Sequence, residues 1–248
     1  MQRLEGLMRK AMQEYEMIRP GDHVCVGVSG GKDSVALTVG LARLRSYYEK
    51  PFTLTALSLD PQFGGVPTDY GPLEELFRQL EVPYVIRRTD IGSIVFETRR
   101  EDNPCSLCAK MRRGALHDTA RELGCNVIAL GHHLDDAIET FYMNLWREGR
   151  IGCFSPKTYL SRKELTCIRP MVLATEAEVV RAVRALELPV VKSRCPADGV
   201  TEREHMKEFV RDMVHRDSAF RQKMLGALQK SGIDGWGPTG PQRTGGAG

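Results

Sequence analysis

The sequence predicts an α/β protein built on a doubly wound parallel sheet, and three observations lead there. Short β-branched runs such as HVCVGV (23–28) and NVIALG (126–131) alternate with segments of helical apolar spacing. The loop SGGKDS (29–34) joins the first such run to a helix, and GHHLDD (131–136) opens another helix directly after a later run. The chain has 248 residues and 42% apolar composition, enough for one domain with a sizeable core.

The elements follow in order. In MQRLEGLMRKAMQEYEMI, Leu4, Leu7, Met8, Ala11, Met12 and Tyr15 recur at helical spacing, which marks an amphipathic helix and not a secretory leader. Arg19 to Asp22 (RPGD) is a turn into a strand over 23–28, followed by a helix over 33–46. FTLTALSLD (52–60) is the second strand, and PQFGGVPTDYGP a Gly/Pro-rich loop before a helix over 73–80. PYVIRRT (83–89) is the third strand. The next helix spans 103–124, with Asn103 as its N-cap and Pro104 at its first position. NVIALG is the fourth strand, and the helix over 132–146 turns Leu134, Ala137, Ile138, Phe141 and Leu145 inward. TCIRPM (166–171) reads as one more strand. Thr175 with Glu178, and Thr201 with Glu204, form capping boxes opening two further helices. The second buries Met206, Phe209, Val210, Met213 and Val214. The end, SGIDGWGPTGPQRTGGAG, is too rich in Gly and Pro to fold.

Parallel sheets of this kind bind ligands beyond the carboxyl ends of their strands. The Ser29 loop, Asp60 and residues 131–136 all fall at such ends, so they share one cleft. The formal net charge of +3 permits a nucleic-acid partner without demanding one. Locally, residues 87–113 hold seven Arg or Lys against four acids. No run approaches the roughly 18 apolar residues of a membrane span, so a cytoplasmic protein with no membrane partner is expected. Seven cysteines in such a chain argue against a disulfide framework.

The SGGKDS loop is not a Walker loop: only three residues separate Gly27 from Gly31, and Asp33 follows Lys32. Its small residues still allow a backbone to approach a ligand closely, and N–H groups at the following helix start make an anion site. Lys32 adds a point charge, and Ser29 and Ser34 add hydroxyls. Cys105 and Cys108 lie three apart on a helix, with Arg112 four further along the same face. Near the first turn, the helix dipole favours thiolate. Cys195 stands in the loop KSRCPADG. One CxxC suits zinc, a redox pair or a cluster. Zinc wants a fourth ligand, which a nearby histidine could supply, and a four-cysteine iron–sulfur site also wants one more. Three ligands can equally leave one iron open for sulfide. Cys25, Cys125, Cys153 and Cys167 lie in or near apolar segments and read as core.

SGGKDS resembles the pyrophosphate loop of the ATP pyrophosphatase superfamily, whose members cut ATP between the α- and β-phosphates. CSLCAKMRRGAL, ALGHHLDD, IRP with Glu176 six residues past Pro170, and the later lone cysteine follow in order. Over about residues 22–216 the chain therefore resembles the tRNA 2-thiocytidine synthetase (TtcA) family. That resemblance implies an adenine nucleotide alpha-hydrolase-like (PP-loop ATPase) fold with flanking helices. Residues 1–20 would be an N-terminal helix, 21–230 the PP-loop domain and 231–248 a flexible tail. It implies an ATP-dependent tRNA thiotransferase that adenylates C2–O of an anticodon-loop cytidine and replaces the oxygen with sulfur. Lys32, Asp136 and Arg112 would be catalytic. Ser29, Gly30, Gly31, Lys32, Asp33, Ser34, Leu59, Asp60, Gly131, His132 and Asp135 would surround ATP and Mg2+. Cys105, Cys108 and Cys195 would hold a [4Fe–4S] cluster. The implied partners are tRNA, a sulfur donor such as a cysteine desulfurase or free sulfide, and a second copy in a homodimer. Two other readings stay open: an amide- or lysidine-type tRNA ligase of the same superfamily, and a non-catalytic ATP-binding redox sensor.

Overall fold

The structure is a computed structural model, and it describes residues 1–99, 104–192, 194–196 and 202–237. The chain runs α1 (Gln2–Glu14), β1 (Asp22–Gly27), α2 (Lys32–Leu44), β2 (Phe52–Asp60), α3 (Gly71–Gln79) and β3 (Tyr84–Arg88). It continues through α4 (Ile91–Ser93), α5 (Pro104–Glu122), β4 (Val127–Ala129), α6 (Leu134–Arg147), β5 (Lys157–Leu160) and β6 (Leu165–Ile168). Then come α7 (Glu176–Ala185), α8 (Glu202–Arg216) and α9 (Phe220–Ser231). The strands form one sheet of order β3-β2-β1-β4-β6-β5. All neighbours are parallel except β5 and β6. The order reverses between β1 and β4, and a crevice opens at the carboxyl ends there.

Alternation along the central strands sorts two cores. Val24, Val26, Leu54, Ala56, Val127 and Ala129 face a large cluster with the buried sides of α1, α2 and α7. Cys25, Leu57 and Ile128 point to the other face, where Ala120 and Leu116 of α5 cover them. The helix α1 is integral to the first core: a Cβ on Gly40 would stand 2.6 Å from the sulfur of Met8. The helices α6, α8 and α9 share a third cluster through Ile138, Val210 and Phe220. No described helix is long and apolar enough to cross a membrane.

The structure departs from the sequence reading in several places. KTYL (157–160) is a strand, paired antiparallel to β6 as a hairpin that periodicity over four residues does not reveal. Residues 91–99, unassigned by pattern, continue from α4 into a π-helix (Ile94–Arg99). Leu145 is 43% exposed and not inward-facing, as is the adjacent Trp146 at 67%. The Thr175–Glu178 capping box forms with both of its hydrogen bonds, while Asn103 and Thr201 lie outside the described residues.

The segment after Ser231 also differs. Trp236 is fully buried, its indole N–H donates to the Phe154 carbonyl at 2.9 Å, and its ring meets Tyr15 edge to face. Glycines allow the turn that brings it in, with Gly232 at φ 65° and Gly235 at φ 75°. One large aromatic outweighs the local composition. Trp236→Ala should cost about 3–5 kcal/mol in urea unfolding, as large-to-small core changes do. A loss under 1 kcal/mol would mean the segment is not part of the core.

Candidate active site

The loop after β1 is held by its own hydroxyls. Ser34 Oγ donates to the Gly31 carbonyl at 2.9 Å and accepts from the Ser29 N–H at 3.1 Å. Gly30 takes φ +88°, a conformation an L side chain strains to reach. Lys32 Nζ reaches Asp33 at 2.9 Å and Glu176 of α7 at 3.0 Å. Burial lowers the Lys32 pKa, but these two carboxylates outweigh it and the net shift is upward. Burial likewise raises Glu176, yet Lys32, Lys207 and His133 together pull it down. The ion pairs therefore keep Lys32 charged beside the loop. Lys207 of α8 lies 3.6 Å from Glu176.

The β4 end packs directly onto this loop. A Cβ on Gly131 would come within 3.1 Å of backbone atoms of Asp33 and Ser34, so glycine permits the close approach. His133 is buried and caps α6: its Nδ1 accepts from the Asp136 N–H, and Asp136 accepts from the His133 N–H. Its Nε2 lies 3.7 Å from Asp33. One imidazole thus stands between the two carboxylates, Asp33 and Asp136.

Two sequence candidates make structural contacts. Asp135 accepts from the Glu176 N–H at 2.8 Å and from Arg221 Nε at 2.6 Å, which ties α6 to α7 and α9. Asp60 is buried and accepts from the N–H groups of Gln62 and Thr68 and from the Thr68 hydroxyl. It organises the loop beyond β2 and lines neither cavity described below.

A cavity of about 560 Å³ opens at the switch point between β1 and β4. Gly27 to Ser29, Leu57 and Leu59 form one wall, His132 and Leu130 another, and Arg112, Arg113 and His117 of α5 a third. The β5–β6 hairpin closes it with Thr158, Cys167 and Arg169, beside Phe154. Cys167 is buried as a core residue is, but it also borders this space. A second cavity of about 150 Å³ adjoins it, lined by Gly31, Tyr70, Lys192 and Arg194. Ser29, Leu59 and Arg112 line both.

The cysteines gather beside the second cavity's residues. Burial raises the Cys108 thiol, Arg112 opposes this, and the charges of Cys195 and Cys105 push it further up. The expected thiolate preference at the helix start is thus reversed for Cys108, because it is 7% exposed and desolvation outweighs Arg112. Cys105 is exposed and Cys195 half-exposed. The Cys195 segment is fastened to the loop after β1: Val191 N–H donates to the Gly30 carbonyl at 2.9 Å. Among the described residues, no three His, Cys, Asp or Glu side chains gather tightly enough for a single metal ion. A cube of four irons takes each thiolate on a different iron, so its ligands stand farther apart than those of one ion. Cys108 feels the charge of both Cys105 and Cys195, and three thiols so placed fit that donor set.

Sequence reasoning did not single out Arg169, Phe154, Lys192 or Arg194. Arg169 and Glu176 were visible only as parts of a spacing pattern, since nothing local shows that Glu176 meets Lys32.

The PP-loop domain family matches residues 3–214. A tRNA-cytidine(32) 2-sulfurtransferase of Syntrophotalea carbinolica is 36% identical over 91% of this chain and 88% of its own length. That of Pelobacter propionicus is 38% identical, covering 91% of this chain and 84% of its own. Among solved structures, the U34-tRNA thiolase NcsA from Methanococcus maripaludis, with its [4Fe–4S] cluster, superimposes with a TM-score of 0.75. It is 22% identical over 93% of this chain and 78% of its own, which is a likeness of fold.

Proposed function

The chain belongs to the PP-loop family and, within it, to the tRNA-cytidine(32) 2-sulfurtransferases, and on that premise we propose that it adenylates O2 of cytidine 32 in tRNA and exchanges that oxygen for sulfur. The observation that carries this reading is the pair of adjoining cavities. They run from the Ser29 loop past Leu59 to Arg112, on the helix that bears Cys105 and Cys108.

In the first step O2 of the base attacks the α-phosphorus, the α–β bridge breaks, and pyrophosphate leaves. Backbone N–H groups at the start of α2 and Lys32 meet the charge that develops on it. Leu57 and Leu59 border the adenine. Asp33 and Asp136, on either side of His133, would hold Mg2+ on the phosphates. In the second step sulfide attacks C2, and the C2–O bond breaks as AMP departs with the oxygen. Arg112 neutralises charge on that leaving phosphate. Cys105, Cys108 and Cys195 would hold a [4Fe–4S] cluster, which would supply the sulfide. The sulfide is replenished from solution, or from the persulfide of a cysteine desulfurase once a thiol reductant has supplied the two electrons that release it as sulfide.

The tRNA would lie on the basic rim, where Arg87, Arg88 and Lys110 are exposed and Arg112 and Arg113 enter the cavity. A second subunit would extend that rim, and the protein would work in the cytoplasm. The test is anaerobic turnover with ATP, sulfide and tRNA transcripts carrying cytidine or uridine at position 32. One 2-thiocytidine, one AMP and one pyrophosphate should form together, with the cytidine transcript alone. Nucleotide consumption that yields no thiolated base, or joins an added amine, would refute the assignment.

A further inference from the structure

The chain brings Arg169 to the cavity from the end of β6, beside the histidine that follows β4. Arg169 Nε donates to His132 Nδ1 at 3.2 Å, and one Nη donates to the Ser155 carbonyl at 2.6 Å. The guanidinium carbon lies 4.8 Å from the centre of the Phe154 ring. Phe154 in turn lies against His132, with ring centroids 4.9 Å apart at 33°. His132, Phe154 and Arg169 all border the same cavity.

Arginine carries donors and no acceptor. The bond to Nδ1 therefore needs a lone pair on that nitrogen, and a neutral His132 must carry its proton on Nε2. An imidazolium could not make this bond. The ring nitrogens are distinct, and the partner of one decides what the other offers. Phe154 and Ser155, just before β5, give the guanidinium a seat that does not depend on the histidine.

We propose that Arg169 is a positioning residue that holds His132 as the Nε2–H tautomer, so that the imidazole brings a hydrogen-bond donor to an oxygen of the nucleotide or target base during adenylation. The purpose, though not the tautomer, rests on the nucleotide reading of the cavity given above. Adenylation shifts charge onto phosphoryl oxygens, and a donor already oriented toward them needs no rearrangement as the reaction proceeds.

The experiment is 15N NMR of histidine-labelled protein. There are six histidines, and the His132 signals are those lost in His132→Gln. The wild type should show an unprotonated-type Nδ1 and a protonated-type Nε2. Arg169→Met should shift both toward the averaged values of mixed tautomers. It should also lower kcat for tRNA-dependent pyrophosphate release about 10–100-fold, the range for losing a group that orients a functional histidine. KM for ATP should change less than about threefold. A proton on Nδ1 in the wild type overturns the proposal, and that spectrum needs no variant to fold. An unchanged His132 spectrum in a folded Arg169→Met does the same. An Nε2–H pattern in a wild type that releases no pyrophosphate would leave the tautomer standing and overturn its catalytic purpose.

Discussion

Lys32→Ala lowers tRNA-dependent pyrophosphate release by about 10²–10³-fold, the usual loss when one aligned donor to developing charge is removed. The ammonium lies at the start of α2, where it adds to the positive end of the helix and to the N–H groups around Gly31. It is held there by Asp33 and Glu176, and these carboxylates keep it protonated. A phosphate that binds must take the ammonium from them, but the side chain is already charged and beside the loop when ATP arrives. Its removal leaves Glu176 without its Lys32 partner near the phosphates, which adds repulsion to the lost attraction. Lys32→Arg should recover only part of the rate, because the larger fork does not match a site built for a point charge. Stopped-quench measurement of pyrophosphate, with thermal unfolding as a control for folding, reads this directly. Turnover within threefold of wild type would mean that the pyrophosphate leaves elsewhere.

Cys195→Ser removes iron and acid-labile sulfide and abolishes thiolation, while pyrophosphate release persists within about tenfold. A serine hydroxyl stays protonated where a cysteine ionises, so it does not replace thiolate as a ligand to iron. Cys195 is half-exposed, on a loop outside the hydrophobic clusters, so the substitution removes little packing. Adenylation needs the loop and the cavity, and those keep every residue. Lys32→Ala gives the opposite pattern, with iron retained and pyrophosphate release lost. Full iron in Cys195→Ser would exclude this cysteine as a ligand. Loss of both steps would instead implicate the bond between Val191 and Gly30, through which the Cys195 segment holds the nucleotide loop.

Much of the fold was legible because its signals are local. β2 falls at Phe52–Asp60 as its composition suggests, and α6 begins at the GHHLDD run with His133 as its cap. The four-residue strand Lys157–Leu160 was not legible, since its identity comes from pairing with β6. Burial of Trp236 was hidden for a related reason: its partners, Tyr15 and Phe154, lie 221 and 82 residues away in the chain.

The candidate site divides along the same line. The sequence by itself determined the glycine loop between β1 and α2, the CxxC pair with the later lone cysteine, and the order of motifs along the chain. Glycine conformations, helix starts and short spacings are properties of neighbouring residues. Only the tertiary structure decided what each acid contacts. Asp135 and Asp60 join helix and loop backbones, whereas Asp33 and Asp136 flank one imidazole. It also decided that Glu176 meets Lys32 and that Arg169 meets His132. These pairings join residues far apart in the chain, and their strength depends on burial, which is set only once the helices close over the sheet.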